Sequence, residues 1–190
     1  KKAKNLELTD RFEDLSNCKY IFLAIPSQAL RQNIKSIKKT ISVKNCIFII
    51  CSKGVEKKTS RLMSEVFEEI LNNRFVILSG PNFSDEVIKG LPTATVLSCE
   101  KSKTAKEISL LFTQEKFRTY FNTDIIGTQI GGAMKNVIAI ACGLIQGNNL
   151  GLNAQASIVT RGLSEIVELG VILGARKSTF FGLSGIGDLT

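Results

Sequence analysis

Three short apolar runs, Tyr20-Ile21-Phe22-Leu23-Ala24-Ile25, Cys46-Ile47-Phe48-Ile49-Ile50-Cys51 and Phe75-Val76-Ile77-Leu78, each stop at a Pro, Ser or Gly turn and give way to a longer polar stretch. Runs so short and so continuously apolar read as strands buried on both faces. Pro26-Ser27 closes the first and opens a helix over about 28–39. Ser52-Lys53-Gly54 closes the second, ahead of a charged helix over about 60–72, and Ser79-Gly80-Pro81-Asn82 closes the third. Two more strands are expected at Thr93-Ala94-Thr95-Val96-Leu97 and Phe117-Arg118-Thr119-Tyr120-Phe121, with a helix over about 104–112 between them. Such alternation predicts an α/β fold with a parallel sheet and right-handed crossovers. Beyond about Asp124 the strand signal ends, and 125–147 and 154–174 read as two long helices around a Gly- and Asn-rich loop. A boundary near residue 123 then separates an α/β unit over 1–123 from a helical unit over 124–190.

At 190 residues the chain can build one core, or one domain and part of a second. Its 44% hydrophobic and 22% charged residues are those of an ordinary globular protein. The longest uncharged stretch, 136–160, carries Asn and Gln and reads as buried or interfacial helix and loop, so no membrane insertion is expected. The opening Lys1-Lys2-Ala3-Lys4-Asn5 has no apolar segment behind it and does not read as a signal peptide. Five cysteines without a Cys-x-x-Cys spacing lie mostly in apolar runs, which predicts small buried thiols in a reducing, cytoplasmic setting. The net charge of +8 comes from lysines scattered along the helices without interleaved aromatics, so nucleic acid is not an expected partner. There is no histidine. Acid–base chemistry must therefore fall to a lysine or a carboxylate, and no metal site is expected.

One lysine is unusual in its setting: Gly127-Thr128-Gln129-Ile130-Gly131-Gly132-Ala133-Met134-Lys135-Asn136-Val137-Ile138-Ala139-Ile140. An ammonium flanked by small and apolar residues risks losing its water, and desolvation lowers its pKa toward neutrality. The plainer reading is a lysine that extends from a core helix to solvent. In parallel sheets ligands bind beyond the carboxyl ends of the strands. Pro26-Ser27, Ser52-Lys53-Gly54 and Ser79-Gly80-Pro81-Asn82 fall there, although each taken singly also fits a plain turn.

Taken together, seven blocks resemble the bacterial-type NAD(P)-dependent glycerol-3-phosphate dehydrogenases. They are Ala24-Ile25-Pro26-Ser27, Ser52-Lys53-Gly54-Val55-Glu56, Ser79-Gly80-Pro81-Asn82-Phe83, Gly90-Leu91-Pro92-Thr93-Ala94, the run from Ile126 to Ala139, Thr160-Arg161-Gly162-Leu163-Ser164-Glu165, and Gly185-Ile186-Gly187-Asp188-Leu189. Any one block is weak; seven in order and at the family's spacing are specific. The resemblance implies a partial Rossmann-type sheet followed by an all-helical C-terminal domain. It implies hydride exchange between NAD or NADP and the pair dihydroxyacetone phosphate and sn-glycerol 3-phosphate, feeding glycerophospholipid synthesis, in a protein that forms a homodimer. It places the proton-transfer lysine on Lys135. Substrate contacts fall on Lys53, Gly80, Asn82, Lys135 and Asp188, and cofactor contacts on Lys53 and Ser84. The family more often has Ser or Thr at Asn82 and Ala at Ser84.

Two departures qualify this reading. The family's opening Gly-x-Gly-x-x-Gly loop, which holds the pyrophosphate at a helix N-terminus, has no counterpart before Tyr20, and the family's Arg-Asn pair would follow Asp188 beyond Thr190. The expectation is an internal fragment truncated at both ends. An inactive remnant, or a related NAD(P)-dependent hydroxyacid or hydroxyacyl dehydrogenase, is the alternative. The choice of NAD against NADP is made upstream of Lys1.

Overall fold

The computed structural model describes residues 6–112 and 115–188. Five strands form one sheet in the order β1 (Tyr20–Leu23), β2 (Ile47–Ile50), β3 (Phe75–Ser79), β4 (Thr93–Ser98), β5 (Phe117–Asn122). All four side chains of β2 are fully buried, because helices cover both faces of the sheet. On one face α1 (Leu30–Thr40) sends down Leu30, Ile34 and Ile37, spaced along one helical stripe, and α2 (Met63–Glu68) adds Met63, Val66 and Phe67. On the other, α4 (Ser102–Ser109) buries Ala105 and Ile108 against Ile47, Ile49, Val76 and Leu97.

The sheet departs from the all-parallel expectation at one place: β3 and β4 are antiparallel, while β1–β2, β2–β3 and β4–β5 are parallel. The connection explains it. Between Ser79 and Thr93 the only regular element is the five-residue α3 (Ser84–Ile88), about 7.5 Å of helix. Too short to carry the chain back along the strand, it returns the chain at the end it left. The charged helix expected over 60–72 is also shorter, Met63–Glu68. Ser60 adopts a left-handed φ of 57°, Leu62 bridges to Val55, and the Glu65 carboxylate caps the Leu62 N–H at 2.6 Å, so the helix cannot begin earlier.

Because β5 runs opposite to β3, it delivers the chain to the foot of β3, where Ile125 packs near Phe75. There α5 (Ile125–Gly147) starts, and it climbs the sheet face until Gly132 meets Ser79 at the head of β3. Asp124, buried, fixes this start: one carboxylate oxygen accepts from the Gly127 N–H at 2.8 Å, the other from the Arg176 N–H at 2.8 Å and the Thr179 hydroxyl at 2.6 Å. A second long helix, α6 (Gly151–Ile172), folds back on α5; Gly162 makes room for Ile138, and Gly170 for the fully buried Phe180. By length and composition alone α5 is apolar enough to cross a membrane, which the sequence reading did not expect. Its first half is instead packed inside the protein, against the sheet, α2 and the C-terminal segment: six consecutive residues, 127–132, are buried.

Candidate active site

The carboxyl ends of β2 and β3 carry the first two pieces of the site. After β2 the chain turns through Ser52-Lys53-Gly54. The Ser52 hydroxyl is shared by the carbonyls of Leu23 and Ile25, at 3.1 and 2.6 Å, which ties this turn to the end of β1. Gly54 has φ +143°, and a Cβ there would meet the Ser27 hydroxyl at 2.7 Å; both the conformation and the space demand glycine. The half-buried Lys53 then reaches across to β3, where its ammonium donates to the Gly80 carbonyl at 3.0 Å. Gly80 is itself at φ +127°, with its backbone close against Ala94 and Thr95 of β4.

The third piece is α5. A Cβ on Gly132 would lie 3.4 Å from Lys53 Cδ and 2.8 Å from Ser79 Oγ, so the bare helix backbone here forms the wall against which the Lys53 stem lies. Lys135 follows one helical turn later and is half-buried, with its ammonium 5.6 Å from the centre of the Phe83 ring. The fourth piece arrives from the C-terminal segment: a Cβ on Gly131 would sit 2.0 Å from the Ser184 carbonyl oxygen and 3.4 Å from Gly185 Cα. The Gly185-Ile186-Gly187-Asp188 block is thereby held against the helix turn that leads into Lys135.

Lys53, Gly80 and Lys135, far apart in sequence, thus stand on segments that meet at the head of the sheet. Asn82 is half-buried in the same turn as Gly80, and Ser84 is exposed as the first residue of α3. Asp188 closes a short 3-10 turn from Ile186; its side chain lies outside what the structure describes. The sequence reading missed Phe83 as the ring beneath the Lys135 ammonium. It quoted Gly131-Gly132 without seeing their use: two glycines inside a helix cost stability unless something approaches closely, and that was the available signal. The Ser79 hydroxyl, beside Gly132, is buried without a hydrogen-bond partner among the described residues.

The electrostatics favour this place over a cavity nearby. That cavity, about 950 Å3, runs between α2 and the α5–α6 pair over Ile126, Ile130 and Leu173. Glu65, Glu68 and Glu100 line it, and burial with those two neighbours pushes the Glu68 carboxyl above its usual range. Such a wall repels an anionic ligand, whereas the head of the sheet presents Lys53 and Lys135. At Cys51, next to the turn, burial pushes the thiol up to about 11 against an opposing pull from Lys53, which favours the protonated thiol.

A partly buried ion pair braces the turn that bears Lys53. The Glu56 carboxylate accepts two bonds from the Arg31 guanidinium, both at 2.8 Å, and one from Thr59 at 2.5 Å. Arg31, then Thr59, hold the Glu56 carboxyl down at about 2, well below its ordinary 4.5. Glu107, held by Lys19, Tyr20 and Arg74, is likewise at about 2. A depressed folded-state pKa stabilises the protein above the ordinary value, and that gain is lost as the pH falls toward 2. Urea midpoints measured from pH 7 to 2 are therefore expected to hold level down to about 5 and then to drop. Glu56→Gln should be less stable at pH 7 and lose less on acidification; an acid drop equal to the parent's would show that Glu56 is not a major source of it.

Comparison with known proteins places these residues in context. Residues 3–105 match the family model described as NAD-dependent glycerol-3-phosphate dehydrogenase N-terminus, and 124–190 match the one described as its C-terminus. Among curated relatives, a glycerol-3-phosphate dehydrogenase [NAD(P)+] of Clostridium botulinum is 43% identical over 196 aligned residues, covering 100% of this chain and 59% of that protein. One of Corynebacterium glutamicum is 47% identical over 180 residues, covering 93% and 54%. The crystal structure of glycerol-3-phosphate dehydrogenase from Coxiella burnetii superposes with a TM-score of 0.90 at 35% identity, over 96% of this chain and 56% of that one. The chain spans a little over half the length of these relatives.

Proposed function

We propose, for a chain that belongs to the NAD-dependent glycerol-3-phosphate dehydrogenases, that the head of its sheet is where dihydroxyacetone phosphate and sn-glycerol 3-phosphate are interconverted. The observation that carries this reading is the Lys53 stem lying on Gly132, one helical turn before Lys135, with the Lys53 ammonium on the Gly80 carbonyl. Two ammonium groups at the head of one sheet suit a phosphorylated ketone: one holds negative charge, the other faces the oxygen that becomes an alkoxide.

The residues present fit the nicotinamide end of a dinucleotide, whereas the glycine loop that would cradle its pyrophosphate has no counterpart before Tyr20. Lys53 offers a cation at the carboxyl end of β2, and Gly54 and Gly80 let the turns there pack closely on Ser27 and on β4. Lys53 and Ser84 would hold the cofactor, NAD or NADP. When bound, that cofactor supplies the hydride that reduces the ketone carbon. Lys135 then donates a proton to the ketone oxygen as its negative charge builds, and in the reverse direction takes the alcohol proton. Gly80, Asn82 and Asp188 are the remaining substrate contacts. We assign 1–123 to cofactor binding and 124–190 to completing the substrate site, with two copies of the whole protein as a homodimer in the cytoplasm.

A substrate comparison tests the reading. The protein should oxidise NADPH or NADH in the presence of dihydroxyacetone phosphate and leave ketopantoate and a 3-ketoacyl-CoA untouched. Reduction of either of those in preference would move the assignment to a neighbouring dehydrogenase class. Failure to reduce any ketone together with weak or no cofactor binding would favour an inactive remnant, and micromolar NADPH binding would argue against one.

A further inference from the structure

The Gln129 side chain is buried between α5 and α2, and every polar atom it carries is used. Its Oε1 accepts from the Ser64 N–H at 2.9 Å; its Nε2 donates to the Ser64 hydroxyl at 2.8 Å and to the Ile125 carbonyl at 3.2 Å. A backbone N–H can only donate, so the orientation of this amide is fixed by chemistry. Ser64 is the second residue of α2, where the N–H has no partner inside its own helix. Gln129 therefore satisfies a helix-end donor that would otherwise be buried unpaired, a loss that proteins avoid.

The two sides of this clamp lead to the two lysines. On the α2 side, Val55 bridges to Leu62 and the Glu56 N–H donates to the Arg61 carbonyl at 2.9 Å, so the loop from Lys53 to Ser64 is cross-braced into one piece. On the α5 side, Gln129, Gly132 and Lys135 follow at intervals of three residues, on successive turns. We propose that Gln129 is a positioning residue: by locking Ser64 to α5 it sets the place of Lys53 relative to Lys135. This rests on the two-lysine reading of the site given above. Apolar packing alone would let α5 slide along α2 by fractions of an ångström, because dispersion contacts are not directional. A bidentate amide does not allow that.

Gln129→Leu, which keeps much of the volume and removes all three bonds, tests this in the whole protein. Expected are a fall in kcat of about tenfold or more with the dihydroxyacetone phosphate KM changed by less than about threefold, faster hydrogen exchange at the Ser64 amide, and faster acetylation of Lys53 and Lys135 by acetic anhydride. Gln129→Glu keeps an acceptor for the Ser64 N–H and should restore most of the turnover. Ser64→Ala, which removes one bond and little volume, should fall between and serves if Gln129→Leu does not fold. Ile108→Ala, which loosens the opposite face of the sheet, should lower stability and leave kcat near the parent's. Parental kcat in Gln129→Leu despite rapid Ser64 exchange overturns the proposal. If the parent reduces no ketone at all, the functional reading fails by itself; the lysine acetylation rates then decide the clamp, and unchanged rates overturn it.

Discussion

Lys135→Met should lower turnover by about two orders of magnitude or more while leaving cofactor binding intact, since positioned general acids contribute 10²- to 10⁴-fold. Reduction of a ketone leaves negative charge on oxygen, and something must supply the proton. The chain contains no histidine. Of the groups at the head of the sheet, the Lys53 ammonium is engaged with the Gly80 carbonyl at 3.0 Å and its stem is held by Gly132. Lys135 has a different setting: it stands on a long helix anchored at its start by Asp124, and its ammonium lies over an aromatic ring. Methionine preserves the length and apolar stem of the side chain, so the loss should appear in kcat and not in the fold. Steady-state rates with dihydroxyacetone phosphate, set beside NADPH titration by fluorescence, separate the two effects. An alkylamine added to Lys135→Ala should recover part of the rate. Turnover near the parent's in Lys135→Met would remove the role assigned to this residue.

Much of this was readable in the order of the residues, because the strands of a doubly covered sheet must be apolar on both faces. The runs around Phe48 and Ile77 became β2 and β3, buried on both faces, at nearly the expected limits. The run around Phe22 became β1, but it lies at the sheet edge and Phe22 is 45% exposed, so its burial on both faces did not follow. The extent of α5 was legible too, since its glycines interrupt no apolar stripe. What could not be read was direction and proximity. The antiparallel step at β4 depends on how far 80–92 travels, which no local pattern encodes. The meeting of Gly132 with Lys53, or of Gly131 with Ser184, joins segments 79 and 53 residues apart in sequence. Gly131-Gly132 announced close packing without naming the neighbour. Gln129 looked like one polar residue on an apolar helix, and only the position of Ser64 shows why it is an amide and not a leucine.

The two adjacent glycines should respond differently to the same added methyl group, and the contrast checks the geometry of the site without assuming its chemistry. In a helix interior, alanine is favoured over glycine by about 1 kcal/mol. At Gly131 that gain is overrun: the new Cβ would fall 2.0 Å from the Ser184 carbonyl oxygen, which is backbone and cannot rotate aside. The segment from Ser184 to Asp188 must move off α5, and overpacking of this kind costs about 1–3 kcal/mol. Gly131→Ala should therefore unfold at lower urea concentration and lose most of its turnover, because the displaced segment leads to Asp188. At Gly132 the nearest atoms are Ser79 Oγ at 2.8 Å and Lys53 Cδ at 3.4 Å, both on side chains that can turn or bend. Gly132→Ala should remain within about 1 kcal/mol of the parent in stability. Its defect should lie in the Lys53 contact, seen as a rise of about tenfold in the KM for dihydroxyacetone phosphate. Urea titration and steady-state kinetics on the two variants give four numbers, and the expected pattern is crossed: one variant weak in the fold, the other in the site. Equal loss of stability in both, or an unchanged KM in Gly132→Ala, would mean that the Lys53 stem does not lie on this helix when ligand is bound.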